Sequence, residues 1–158
     1  MAVGSSTLRG QPKGSVKTAI DFLCQIDLNI FKNIKSEALF ADTLNHQTDL
    51  LKELLPSKSW GFARKVLNIF LFQVTHDIYL SDKYNLKKLI PFLEVALDNP
   101  NAKKLLKRAK KRSCKFYWRN IKSLMKEENS EIQEFAKKIA REEFGVERCY
   151  LDLYFWRE

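Results

Sequence analysis

Residues 60–80 read WGFARKVLNIFLFQVTHDIYL, a stretch whose side chains are apolar around most of a helical circumference. A helix of this kind is typical of the buried centre of a domain. One stripe along it differs in character, because at roughly 100° per residue five side chains fall within about 80° of one another. These five are Gly61, Lys65, Asn68, Phe72 and His76. The sequence therefore predicts a central helix over 59–80 that presents a lysine on one face.

Helical periodicity continues on both sides of this stretch. Upstream, apolar residues recur at helical spacing over 16–33 and 36–55, where Ser36 suits an N-cap and Pro56 stops the second helix. Downstream, a turn is predicted at 81–85. Shorter helices are then expected over 86–93, 101–112, 115–127, 131–145 and 148–156.

Local signals mark two of the downstream helix boundaries. Ser130 with Gln133 fits a capping box, and Gly145 suits a C-terminal stop. Hydrophobic residues make up 45% of the 158-residue chain, whereas glycine and proline are scarce, which favours long helices over turn-rich sheets. We predict an all-α fold with a single compact multi-helix domain over 16–158 and a flexible N-terminal tail over 1–15.

The cysteine and histidine pattern offers no metal site. Cys24, Cys114 and Cys149 are widely spaced, and His46 and His76 stand alone. Reduced thiols in a cytoplasmic protein without metal or cofactor are therefore expected. The N-terminal residues lack the apolar core of a signal peptide, and no apolar run reaches membrane-spanning length, so no membrane partner is expected.

Positive charge is concentrated in one block. The formal net charge is +9, and the stretch 99–126 contains 11 basic residues and no acidic one. Such a block is typical of a surface for a polyanion, with DNA expected rather than RNA. The candidate phosphate contacts are Lys103, Lys104, Lys107, Arg108, Lys110, Lys111, Arg112, Lys115 and Arg119. A solvated helix face, an anionic membrane or an acidic protein remains an alternative explanation for this charge.

Three adjacent aromatic residues lie within the basic block. Trp118, with Phe116 and Tyr117, could stack on exposed bases. The alternative is core packing, since at least one of three consecutive side chains on a helix must face inward.

Lys65 and Asp98 are the candidate catalytic residues. A lysine on a mostly buried helix is costly unless it reaches water or finds a partner, and a desolvated amine can act as a nucleophile. The alternative is a lysine whose stem reaches out to solvent. Asp98 precedes Pro100 at the start of the basic helix, where a carboxylate commonly serves as the N-cap.

Two segments that contain these residues resemble the helix-hairpin-helix DNA glycosylase superfamily. The stretch ARKVLNIFLF around Lys65 resembles its lysine-bearing helix, which follows a glycine-containing hairpin; Gly61 is the glycine here. The stretch LEVALDNPNAKKLLKR resembles the segment in which an apolar run ends in the catalytic aspartate, which opens a helix with basic residues. The resemblance covers residues 55–108.

The resemblance implies a mechanism. In the 8-oxoguanine branch of the superfamily, the lysine attacks the sugar as the base leaves, and the aspartate supports the developing positive charge and the proton transfer. By this resemblance Lys65 would be the nucleophile and Asp98 its acid–base partner, acting in DNA repair on a base flipped out of the duplex.

Three hypotheses therefore remain open. The first is a DNA-binding protein related to base-excision glycosylases and lyases. The second is a non-catalytic nucleic-acid-binding module in which Lys65 and Asp98 pair structurally. The third is a protein-interaction or regulatory factor whose aromatic tail, YLDLYFW, supplies an apolar anchor.

Overall fold

The computed structural model describes Gly4 and residues 6–158, and every regular element in this part of the chain is helical. The α-helices are α1 (Ser15–Gln25), α2 (Asn29–Lys32), α3 (Glu37–Leu54), α4 (Trp60–His76), α5 (Ile78–Tyr84), α6 (Asn99–Lys111), α7 (Lys126–Ile139) and α8 (Leu151–Phe155). Short 3₁₀ turns occur at Lys87–Leu89, Ile121–Ser123 and Arg148–Tyr150, and a π-helical turn occurs at Ala140–Phe144. The predicted all-α class is confirmed.

Helix α4 occupies the centre of the fold, as its apolar circumference predicts. Val66 and Leu67 are fully buried, and the helix packs along α3 and against the 3₁₀ turn at Ile121–Ser123. Gly61 permits the second of these contacts, because a Cβ atom at this position would lie 2.0 Å from the carbonyl oxygen of Ile121. Glycine is thus required here for the close approach of two backbones.

The buried side chains form two apolar clusters. The first is centred on α3 and α4 and includes Phe31, Phe40, Leu44, Leu51 and Leu67. The second joins α6, α7 and α8 and includes Leu97, Leu105, Ile132, Ile139 and Phe155. Trp60, at the start of α4, belongs to the second cluster, whereas the remainder of the helix belongs to the first. Helix α4 therefore connects the two halves of the core.

Several predicted boundaries are confirmed. Ser36 caps α3 by accepting a hydrogen bond from the Leu39 amide at 3.2 Å. Pro100 lies in the first turn of α6, and Gly145 ends the π-helical turn with φ 66°. The predicted helix over 148–156 is present as a 3₁₀ turn followed by α8.

Two long predicted helices are interrupted by aspartates. The helix predicted over 16–33 divides into α1 and α2, because the Asp27 carboxylate accepts a hydrogen bond from the Asn29 amide and starts a new helix. The helix predicted over 59–80 ends at His76, because Asp77 is extended and caps α5 through the Leu80 amide at 2.8 Å. The turn predicted at 81–85 is wrong, since α5 continues to Tyr84.

Three further predictions are wrong. The segment 86–93 contains only a 3₁₀ turn, and 115–127 is irregular apart from Ile121–Ser123 and the start of α7. In the second case α6 ends at Lys111, Ser113 follows with a left-handed φ of 54°, and residues 114–118 have no regular secondary structure. Ser130 lies inside α7; the capping box is formed by Met125 and Glu128, whose carboxylate accepts from the Met125 amide at 2.9 Å.

The predicted flexible tail, residues 1–15, falls partly outside the described residues. Within the described part, Leu8 is buried in the first apolar cluster and Ser15 already belongs to α1. No helix among the described residues is both long and apolar enough to cross a bilayer.

The three cysteines should differ in reactivity. Cys24 and Cys114 are exposed, whereas Cys149 is buried, and burial raises the pKa of its thiol to about 12. Because the thiolate is the reactive form, we expect only the two exposed thiols to react rapidly with an aromatic disulfide reagent in the native protein. Absorbance of the released thiolate measures the count, and a Cys149→Ser variant should show the same rapid phase. Rapid reaction of all three cysteines would contradict the burial of Cys149.

Candidate functional site

Residues 93–98, here called the linking segment, lead into α6 without secondary structure of their own, yet most of their side chains are buried. Buried backbone groups must find hydrogen-bond partners, and here side chains from distant elements provide them. Arg148 donates to the Leu93 carbonyl at 3.1 Å. Gln133 of α7 accepts from the Val95 amide at 3.1 Å and donates to its carbonyl at 2.9 Å. The conformation of the linking segment is therefore set by tertiary contacts.

Glu94 lies at the centre of a buried polar network and is only 8% exposed. Arg64 of α4 donates through Nε and Nη2 to the two carboxylate oxygens at 2.9 and 3.0 Å, and through Nη1 to Thr48 of α3. Asn68 of α4 and Asn129 of α7 also donate to this carboxylate. Burial alone would raise the pKa of Glu94, but the charges of Arg64 and Arg148, with the hydrogen bonds from Arg64 and Asn68, together outweigh it and lower that pKa below its ordinary value.

Lys65 and Asp98 lie beside this network and face each other. The Lys65 Nζ is 3.9 Å from Asp98 Oδ2, and the two side chains are 14% and 35% exposed. Asp98 Oδ1 accepts a hydrogen bond from the Asn101 amide at 3.0 Å, so the same carboxylate caps α6. The two candidate catalytic residues, 33 positions apart in the sequence, are thus brought together at the N-terminus of the basic helix.

A cavity of about 280 Å³ opens next to Asp98, whereas Lys65 is not among the residues that line it. Its lining combines an ionic edge with an aromatic one, namely Asp98, Pro100, Asn101, Lys104, Asp152, Phe155 and Trp156. Trp156 is 87% exposed, so its indole face is available to solvent at the rim. The cavity therefore offers a carboxylate, an ammonium group and a free aromatic surface in one place.

A second cavity, of about 320 Å³, lies along α4. Its polar groups are Asn68, Glu94 and Asp152, and its apolar wall includes Ile69, Phe72 and Leu153. Asp152 lines both cavities and accepts a hydrogen bond from Asn101 Nδ2 at 2.8 Å. The two cavities consequently meet around Asp152.

The basic block divides into paired and unpaired cations. Arg108 contacts Glu143 and Glu158, and Arg112 contacts Glu142 and Glu143. Lys104 donates to the Phe155 carbonyl. The remaining candidates are exposed and form no ion pair with the described part of the chain, namely Lys103, Lys107, Lys110, Lys111, Lys115 and Arg119. Lys107 and Lys111 line a cavity of about 410 Å³ that Glu143 and Glu158 also line.

Trp118 differs from the other candidate contacts. It is partly buried and packs against the second apolar cluster, as does Phe116, whereas Tyr117 is 60% exposed. Core packing therefore accounts for most of the surface of Trp118. Among the aromatic residues of this block, Tyr117 has the side chain that is freest to stack on a base.

Sequence reasoning missed Glu94, Asn101, Asp152 and Trp156. A glutamate within an apolar run could have drawn attention, because a buried charge requires a partner. Asp152 and Trp156 lie in the C-terminal segment, and no local signal relates that segment to Asp98. Their proximity depends on the packing of α8 against α6.

Comparison of the chain with protein-family models, with curated proteins and with solved structures gives no match.

Acid should destabilise the protein partly through Glu94, whose pKa, like those of Glu37 and Glu143, is lowered in the folded state. A carboxyl group whose pKa is lowered by folding contributes stability above its ordinary value, here 4.5, and this contribution is lost as the pH falls through the lower folded-state pKa. We expect the free energy of unfolding, measured by urea titration, to decrease on acidification below about pH 4.5. A Glu94→Gln variant should be less stable at neutral pH and less sensitive to acid. An unchanged acid dependence in that variant would contradict this assignment.

Proposed function

We propose that the protein is a DNA-binding helical protein of the base-excision type, in which Lys65 acts as an amine nucleophile and Asp98 as its acid–base partner. The single observation that supports this most directly is the 3.9 Å separation of the Lys65 amine and the Asp98 carboxylate, which lines an open cavity at the start of the basic helix.

The pair has the composition that attack on a sugar requires. Asp98 can accept a proton from the Lys65 ammonium group, which frees the nitrogen lone pair. With an abasic site, this nitrogen adds to the C1′ aldehyde, and loss of water leaves an iminium ion. With an intact lesion, the nitrogen bonds to C1′ while the base–sugar bond breaks and the base leaves with the electron pair. In both cases Asp98 passes the proton that it took from Lys65 to the leaving group, which is the hydroxyl in the first case and the base in the second. The carboxylate that this restores then stabilises the positive charge on the product at the sugar.

The surroundings of the pair suit a flipped-out nucleotide. Enzymes that act on bases in duplex DNA extrude the nucleotide into a pocket, where aromatic side chains replace the lost stacking. The exposed Trp156 lies at the rim of the cavity next to Asp98. The unpaired lysines of α6 begin one turn beyond Asp98 and can hold the phosphates on the same side.

A non-catalytic nucleic-acid-binding module is the second candidate function, and one observation favours it. Asp98 already has a structural role as the N-cap of α6, so its contact with Lys65 also fits a structural ion pair. The anchor on which the protein-interaction hypothesis depends is only partly available, because Leu151 and Phe155 are buried in the second apolar cluster whereas Leu153 and Trp156 are exposed.

The proposed phosphate surface predicts a specific salt dependence. Binding of a fluorescent DNA duplex should weaken as salt rises, and the slope of log K against log [salt] should become shallower by about 1 for each phosphate-contacting lysine removed. We expect Lys107→Ala with Lys111→Ala to reduce this slope, as measured by anisotropy. Arg112→Ala should leave it nearly unchanged, because Arg112 contacts Glu142 and Glu143.

A control variant that loses the same number of positive charges tests whether their location on the protein matters. Lys35→Ala with Lys83→Ala removes the same two positive charges from exposed positions outside the basic helix. The slope for this variant should match that of the unmodified protein. Equal losses of slope in the two double variants would indicate a nonspecific polycation and would contradict the proposed surface.

A further inference from the structure

The Glu94 network and the Lys65–Asp98 pair both join α4 to the linking segment, and they do so at neighbouring positions. Arg64 immediately precedes Lys65 in α4, and Glu94 precedes Asp98 by four residues in the linking segment. The bidentate contact between Arg64 and Glu94 therefore spans the same two segments as the candidate catalytic pair.

A contribution to stability is by itself a poor explanation for the buried Arg64–Glu94 ion pair. Arg64 is 3% exposed and Glu94 is 8% exposed, so both charges have lost nearly all contact with bulk water. Replacing a buried ion pair by apolar side chains of similar size is often neutral or stabilising. An apolar contact, however, permits sliding, whereas two parallel hydrogen bonds define both the distance and the orientation of the groups they join.

The contacts around Glu94 leave little freedom in the position of Asp98. Asn68 fixes the carboxylate to α4 a second time, and Asn129 fixes it to α7. Between Glu94 and Asp98, the backbone of Val95 is held by Gln133. The Ala96 carbonyl accepts from Asn101 at 3.1 Å.

We propose that Glu94 is a positioning residue, which through its contact with Arg64 aligns the linking segment with α4 and so sets the distance between the Lys65 amine and the Asp98 carboxylate. The inference rests on the proposed function, because positioning matters for catalysis only if the pair reacts. Its central geometric claim can be tested without DNA.

The test uses a carbodiimide, which activates an exposed carboxyl group and joins it to a nearby amine. The Asp98 carboxyl and the Lys65 amine form an amide, and the reagent takes up the water that is lost and becomes a urea. Mass spectrometry of a digest quantifies the linked peptides, and Asp98→Asn gives the background. We expect Glu94→Gln to lower the yield about tenfold under conditions in which circular dichroism shows the variant to be folded.

A matched control separates alignment from stability. Leu44→Ala removes a fully buried side chain from the first apolar cluster, so it should weaken the fold but leave the cross-link yield unchanged. An unchanged yield in folded Glu94→Gln would overturn the proposal. If that variant does not fold, Arg64→Met with Glu94→Met replaces the ion pair by apolar side chains and decides the question: a reduced yield supports the proposal, and an unchanged yield overturns it.

A second measurement connects the alignment to the proposed reaction. In folded Glu94→Gln, the rate of adduct formation with an abasic duplex should fall about a hundredfold while the affinity for that duplex is retained, because a displacement of about 1 Å is sufficient for such a loss. If the unmodified protein forms no adduct but the cross-link still depends on Glu94, the proposed enzymatic function fails and the positioning of the pair stands.

Discussion

Lys65→Ala should abolish the covalent adduct that the proposed function predicts with an abasic DNA duplex in the presence of borohydride. The reagent reduces an iminium ion to a stable secondary amine, so a trapped complex requires a primary amine at the reacting sugar. Loss of a nucleophile typically costs about 1,000-fold or more in rate. Gel electrophoresis of a labelled duplex measures the trapped fraction over time.

Two variants distinguish the chemistry of Lys65 from its charge. Lys65→Arg keeps a cation opposite Asp98 but cannot form the adduct, so it should bind the duplex normally and trap nothing. Asp98→Asn keeps a good N-cap for α6 but removes the carboxylate, and we expect its trapping rate to fall about 100-fold. Normal trapping by Lys65→Arg would contradict the assignment of the nucleophile, because another amine would then be responsible.

Gly61→Ala should strongly destabilise the protein. An added Cβ would lie 2.0 Å from the Ile121 carbonyl oxygen and 2.9 Å from Leu124 Cβ. The better helix propensity of alanine contributes about 1 kcal/mol in the opposite direction. The backbone at Ile121 cannot move aside as the end of a flexible side chain could, so α4 and the Ile121–Ser123 turn must separate. We expect this separation to lower the free energy of unfolding by about 3 kcal/mol or more.

Urea unfolding followed by circular dichroism measures this effect. Gly145→Asn is the matched control, because Gly145 has an open environment and a left-handed φ of 66° that asparagine tolerates. The control should change the free energy of unfolding by less than about 1 kcal/mol. A similarly small change in Gly61→Ala would contradict the close approach of the two backbones.

Gly61 also illustrates how a sequence motif and a tertiary contact can place different demands on one residue. The resemblance assigned this glycine to a hairpin ahead of the lysine-bearing helix. In the structure it lies in the first turn of α4, and the carbonyl oxygen of Ile121 occupies the space where its side chain would be. Ser59, which caps the same helix, donates to the neighbouring Lys122 carbonyl at 2.9 Å. The start of α4 is therefore fixed by a segment some 60 residues away.

The candidate site was predictable where its signals are local. Asp98 followed by Pro100 indicates an N-cap, and the structure has that hydrogen bond. Lys65 was conspicuous because a charged residue interrupts an apolar helix. Glu94 was overlooked for the opposite reason, since a glutamate usually lies at the surface and its partner, Arg64, is 30 positions away.

The basic block likewise shows what neighbouring residues in the sequence cannot reveal. Its charges are visible in the sequence, but the sequence alone does not distinguish Arg108 and Arg112 from Lys107 and Lys111. The arginines are neutralised by carboxylates that follow α7, whereas the lysines contact no carboxylate in the described part of the chain. The predicted helix over 115–127 failed because Ser113 turns the chain out of α6, although the residues beyond it have helical spacing.

The sequence by itself determined the helical class, the central position of α4, the N-cap at Asp98 and the location of the positive charge. Each of these follows from side-chain periodicity or from hydrogen bonds between residues a few positions apart. Only the tertiary structure decided that Glu94 is buried against Arg64, that Lys65 meets Asp98, and that Asp152 and Trp156 line the adjoining cavity. These contacts join distant segments, and their geometry depends on how whole helices pack rather than on the preferences of neighbouring residues.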